Sequence, residues 1–178
     1  MTDETRLGKA GTGVAKEGAQ AVIRPEKMLL RRQITDAFVT LLLEPDPSAP
    51  AEAGSAIPVA QWLERFARGE DLRQVGVIIR GADDLSALKP HIGGLFCAAL
   101  HYPIFSDGRA YSHAYRLRKT WGYQGPIIAF GDVLRDQLLY MSRVGIDGFY
   151  LRADQKPEDC LAAYRLYSAY YQYDDVAA

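Results

Sequence analysis

From residue 56 onward, apolar runs alternate with amphipathic stretches. Residues 57–60 form a short apolar start. Residues 61–68 have helical spacing, with Trp62, Phe66 and Ala67 on one side. The β-branched run 75–80 (VGVIIR) predicts a buried strand. Asp83 and Asp84 then stand where caps belong, ahead of a helix over 85–92. The next apolar run is 95–102. Beyond it the pattern predicts a helix over 107–121, a strand over 126–130, a helix over 132–144 and a strand over 148–151. A long helix over 157–173 closes the chain, with Pro157 suited to its first turn.

Short apolar runs separated by amphipathic helices predict repeated βα units and a mostly parallel sheet. Eight such units take about 250 residues, and this chain has 178. The expected fold is therefore α/β and half (β/α)-barrel-like, completed by the N-terminal strands or by a partner. An open flavodoxin-like sheet is the alternative. Branched residues at 28–32 and 37–43 predict two further strands, arranged as a hairpin with its turn near Ile34-Thr35-Asp36. Residues 1–22 lack large apolar side chains and read as a disordered tail. Residues 23–178 read as a single domain, in which the Pro/Ala/Ser-rich stretch 44–55 forms a mobile loop.

Composition narrows the function classes. Lys plus Arg is 21 and Asp plus Glu is 22, a net charge of -1. A nucleic-acid binder is not expected, although Arg109, Arg116, Arg118 and Lys119 crowd one segment. The first twenty residues carry no apolar signal core, and no run is long enough to span a bilayer, so a cytoplasmic protein without a membrane partner is expected. Cys97 and Cys160 have no CxxC spacing and cannot supply four thiolates to a cluster. They read as small buried side chains. His91 and His113 show no ligand pattern, and no metal site or cofactor is expected. The glycine fingerprints of dinucleotide and phosphate loops are missing, as is the GxSxG elbow.

Two polar strand-to-helix junctions hold the candidate chemistry. The first is Asp107-Gly108-Arg109-Ala110-Tyr111-Ser112. Asp107 is placed as an N-cap, and Gly108 allows close approach of a backbone or ligand. Arg109 lies in the first turn, where the helix dipole disfavours a cation. Either Asp107 or a bound anion would compensate it, and the Ser112 hydroxyl could join that anion. Ala110, Ala114, Leu117 and Trp121 make the packing face.

The second junction runs from Phe130 through Gly131 and Asp132 to Arg135, Asp136 and Gln137. Asp132 is expected to cap the helix and to pair with Arg135 and Asp136 at i, i+3 and i+4. Leu134, Leu138 and Met141 form the buried stripe. Both junctions belong to the carboxyl edge of a parallel sheet, where such folds place their sites. His101 is the one histidine near that edge and a candidate general base, and either it or Asp132 could handle protons for a bound anion. Cys160, Tyr164, Tyr167 and Tyr171 make one stripe of the last helix, and Ala163, Leu166, Tyr170 and Tyr173 another. A helix apolar on two sides is expected to pack on the sheet and to form a homodimer contact.

The order FSDGRAYS (105–112), Leu117-Arg118, GYQG (122–125), AFGDVLRDQ (129–137), RVGIDGF (143–149) and AYYQ (169–172) resembles a bacterial family catalogued as domain of unknown function 934. The resemblance covers roughly residues 56–173. Members of that family look like companions of assimilatory sulfite reductase. The resemblance thus implies a role in sulfite reduction or cysteine biosynthesis, as an oxidoreductase or as an accessory protein. The implied partners are sulfite reductase or its flavoprotein. The residues of the two junctions themselves point to an anion held at 107–112 and 131–137 as the ligand. A small enzyme acting on an anionic metabolite without a redox cofactor is the alternative.

Overall fold

The computed structural model describes residues 14–17, 20–104 and 106–165, with side chains from residue 22 onward. Ten strands form one sheet: β1 (Val14–Glu17), β2 (Gln20–Ile23), β3 (Lys27–Leu30), β4 (Gln33–Asp36), β5 (Thr40–Leu42), β6 (Ser55–Pro58), β7 (Val75–Ile79), β8 (Ala98–Tyr102), β9 (Ile127–Gly131) and β10 (Gly148–Phe149). Their spatial order is β1-β2-β5-β6-β7-β8-β9-β10-β3-β4. The block from β5 to β10 is parallel throughout. Antiparallel strands extend it at both ends.

Chain connectivity forces this sheet to curl. β5 and β4 are separated by seven strand steps, about 34 Å if the sheet were flat. Yet only residues 37–39 join Asp36 of β4 to Thr40 of β5, a reach of about 14 Å at most. The eight strands from β5 to β4 must therefore wrap into a half-barrel, the arrangement expected from the count of βα units. Tyr150 latches the wrap from inside. Its hydroxyl donates to the Val39 carbonyl at 2.9 Å and accepts from the Val39 N–H at 3.2 Å.

The two faces of the sheet pack separately. The inner face gathers Met28, Val39, Leu41, Ala56, Ile78, Cys97, Ala99, Ile128, Phe130 and Tyr150. The outer face packs Val77, Ile79, Leu100, Tyr102, Ile127 and Ala129 under the helices. All five residues of β7 are buried, which is why its sequence is continuously apolar rather than alternating. The helices are α1 (Val59–Ala67), α2 (Arg109–Tyr115), α3 (Leu138–Arg143) and α4 (Pro157–Arg165). Ala110, Ala114 and Leu117 are buried as the packing face required, and so are Leu138 and Met141.

Several boundaries differ from expectation. The hairpin turn is Arg31-Arg32, with φ of 47° and 63°, and not 34–36. Two consecutive left-handed residues make a turn whose twist matches paired strands, and the sequence shows two arginines there instead of the usual Asn-Gly. Residues 40–42 are not the hairpin partner of 28–32; they form β5, which opens the parallel block at the other end. Within residues 1–22, expected to be a disordered tail, residues 14–17 and 20–22 are paired in β1 and β2. Where a helix is expected over 85–92, residues 86–94 form a 3₁₀ helix with Pro90 inside it. Beyond α2 the helix continues as a π turn over residues 116–120. Residues 135–137 form a 3₁₀ turn ahead of α3, so the helix expected from 132 starts later. Tyr164 is buried, while Tyr167, Tyr170, Tyr171 and Tyr173, and with them the expected homodimer contact, lie outside the described residues.

Arg118 shows what the middle of the chain is for. Its guanidinium bonds the carbonyls of Tyr123, Gly125 (3.1 Å) and Gly145 (3.1 Å) and reaches the Asp147 carboxylate at 3.4 Å. Asp147 also accepts the Ile127 N–H at 2.8 Å. Arg118 is therefore no part of a surface basic patch. It clasps the loops that enter β9 and β10.

Candidate functional site at the carboxyl edge of the half-barrel

The first junction is built on the turn after β7 and the start of α2. Ile79 pairs with Leu100, so Arg80 and His101 are the next residues on neighbouring strands. Ile78 and Ala99 point to the inner face, and strand alternation sends Arg80 and His101 to that same face two residues later. His101 is half-buried and stacks on Phe130 at 4.8 Å between ring centroids, 11° from parallel. Phe130 is its partner in the β8–β9 register. The Arg80 guanidinium donates to the Leu43 carbonyl at 3.1 Å. Burial, and then the nearby Arg80 charge, hold the His101 pKa below its ordinary 6.5, with Asp107 pulling the other way. The imidazole is therefore neutral at pH 7.

Asp107 lies one residue before the N-cap of α2, which is Gly108. Its carboxylate accepts from the Arg109 N–H at 3.2 Å and grips the Arg109 guanidinium twice, at 2.9 and 2.7 Å. The Asp107 side chain is only 10% exposed, and Arg109 holds its pKa at about 2. The cation in the first turn is thus compensated from within the chain. Ser112 is exposed on the next turn of α2.

Arg109 lies across Gly81. A Cβ on Gly81 would stand 2.8 Å from the Arg109 Cβ and 3.1 Å from its Nε. Gly131 closes the other side. Its φ is 103°, and a Cβ there would meet the Tyr102 carbonyl oxygen at 2.3 Å and the His101 Cδ2 at 3.2 Å. Glycine is required at 131 both for backbone conformation and for space.

The second junction does not join this group as expected. Asp132 caps no helix and does not pair with Arg135. It receives a 2.7 Å bond from Arg152, which follows β10 and is also gripped by Asp154 at 2.7 Å. Gln137 is buried, and its Oε1 accepts the Leu134 N–H at 3.0 Å, so it closes the 3₁₀ turn. Arg135 and Asp136 line a separate open cleft of about 420 Å³ with Arg152, Asp154, Lys156 and Asp159, where charges of both signs alternate. One expected site is therefore two. The mouth holds Arg80, His101, Asp107, Arg109 and Gly131; the cleft holds Arg135 and Asp136; the Asp132–Arg152 bridge stands between them.

Sequence reasoning missed Arg80 and His113. Arg80 ends an apolar strand and reads as a terminator. Its alternation with Ile78 was the available signal. His113 is 7% exposed on the buried side of α2, with Nε2 at 3.3 Å from the Gly81 carbonyl oxygen. Among the described residues no group of three or more His, Cys, Asp or Glu side chains could hold a metal ion. No helix among them is long and apolar enough to cross a membrane. Cys97 is buried, which pushes its thiol up to about 12, and Cys160 is buried as well.

A family model described as bacterial protein of unknown function (DUF934) matches residues 76–178, more than half of the chain. No curated protein and no solved structure matches it.

Proposed function

Because the chain belongs to this bacterial family of unknown function, and the matched residues contain the whole mouth, we propose that the mouth binds a small oxyanion and serves sulfite reduction as an accessory site. The observation that carries the reading is Arg80. Its guanidinium is exposed, bonds one carbonyl, and meets no carboxylate among the described residues. Arg109 and Arg152 at the same edge are, by contrast, each clamped by aspartates. An exposed guanidinium beside a neutral imidazole offers a planar donor fork and a further N–H to an oxyanion. That geometry supports an oxyanion as the ligand class, and the family resemblance supports sulfite as its member.

A titration of the full chain with sulfite, sulfate and phosphate at low ionic strength tests this reading. Saturable binding is expected, weakened at least about tenfold by Arg80→Ala, or ~1.4 kcal/mol. Binding that survives Arg80→Ala unchanged would overturn it. Deletion of the gene is expected to slow growth on sulfate and not on cysteine; normal growth on sulfate would remove the pathway role. The half-buried, neutral His101 favours a second reading, a small enzyme in which it accepts a proton from an anionic metabolite.

A further inference from the structure

We infer that His113 is a positioning residue for the oxyanion site, an inference that rests on the reading of the mouth above. His113 touches no ligand surface. It sits beneath the turn that carries Arg80 and Gly81, and it reaches the Gly81 carbonyl oxygen at 3.3 Å. A carbonyl oxygen only accepts, so the ring nitrogen facing it must carry the hydrogen. The tautomer is thereby fixed as Nε2–H. The other nitrogen, Nδ1, is buried without a hydrogen-bond partner.

Protonating Nδ1 would place a charge where nothing accepts it, with Arg116 adding repulsion from the same helix and Asp83, across the turn, opposing it. Burial therefore keeps His113 a neutral donor. The Gly81 carbonyl is not its only link to the turn, since the Arg80 carbonyl also acts on the ring.

His113 and Arg109 stand four residues apart on α2, on one face and one turn from each other. Arg109 presses on the Gly81 Cα from above, in space that a Cβ would fill. His113 holds the same residue's carbonyl. Together they grip the turn, and that grip sets where the strand end aims the Arg80 side chain. An exposed arginine on an unanchored turn would spend its time in many rotamers, each poorly aligned with its neighbour His101. A histidine that only filled space in the α2 packing face would be replaceable by any side chain of similar bulk.

The test uses the full chain and follows the His101 ring protons by NMR during a sulfite titration at pH 7. His113→Phe keeps the bulk and removes the donor; it is expected to weaken binding at least about tenfold. His113→Gln places an amide N–H where Nε2–H was, and is expected to restore most of the affinity. A folded His113→Phe that binds like the wild type would overturn the inference. So would a folded His113→Gln that fails as badly as His113→Phe. Nitrogen shifts of the wild-type ring supply a readout that needs no variant: His113 is expected as the Nε2–H tautomer, and an Nδ1–H tautomer would overturn the anchor. If Arg80→Ala loses binding while His113→Phe does not, only this inference falls. If the wild type shows no saturable binding, the reading of the mouth falls and takes the inference with it.

Discussion

His101 is shaped by three neighbours from three separate parts of the chain. Phe130 shields one ring face, Arg80 repels the imidazolium, and Asp107 attracts it. An NMR titration is therefore expected to give a midpoint below 6.5. Arg80→Ala should raise that midpoint by removing a repulsive charge, and Asp107→Asn should lower it. His113 is depressed as well, chiefly by burial. The unfolded chain binds protons at both histidines before the folded chain does, so stability is full above pH 6.5 and falls as pH drops through the depressed values. Urea melts at pH 7.5 and 5.5 check the sign. Gly131 makes a sharper demand. Gly131→Ala combines a left-handed backbone with a 2.3 Å clash against main chain, and is expected to cost at least about 2 kcal/mol in a urea melt.

Between elements, single polar side chains hold the half-barrel shut. Tyr150 satisfies both the N–H and the carbonyl of Val39 inside the inner core. Tyr150→Phe leaves those buried groups unpaired and is expected to destabilise by about 1–3 kcal/mol. Arg118 serves three carbonyls and Asp147 at once. Arg118→Met is expected to cost about 2–4 kcal/mol, because the carbonyls lose a charged donor, while sulfite binding at the distant mouth persists. Parallel thermal melts and sulfite titrations of this variant separate the clasp from the site. Part of the family pattern, Leu117-Arg118, GYQG and RVGIDGF, maps to this clasp. The DGRAYS segment maps to the mouth. The two halves of the pattern thus do different work.

Over the whole molecule, strand order sets the hierarchy of order. β7, β8 and β9 lie inside the parallel block with both faces buried. Their amides are expected to be the slowest to exchange with deuterium, and those of the terminal strands β1 and β4 among the fastest. Exchange that is fastest in β8 would contradict the sheet order. The mouth sits on the ends of these slow strands, so a rigid frame carries its residues, in keeping with how parallel α/β sheets place their sites.

The sequence alone determined the alternation of strands and helices, because continuous apolar runs and one-sided helical stripes are local properties. The packing residues Ala110 and Ala114 of α2 and Leu117 of the π turn after it, and the βα count that ruled out a full barrel, were readable for the same reason. That Arg109 needs compensation, from Asp107 or from a bound anion, was also readable, since two residues apart is a local distance; that Asp107 supplies it is a finding of the structure. The turn at Arg31-Arg32 was hidden because arginine carries no turn signal. The assembly of Arg80 with His101, the anchor at His113 and the diversion of Asp132 to Arg152 were decided only by tertiary structure. Arg80 and His101 are 21 positions apart, and Asp132 and Arg152 are 20 apart. Such pairs meet only because strand register and curl bring the ends of neighbouring strands together, and no local pattern encodes that register.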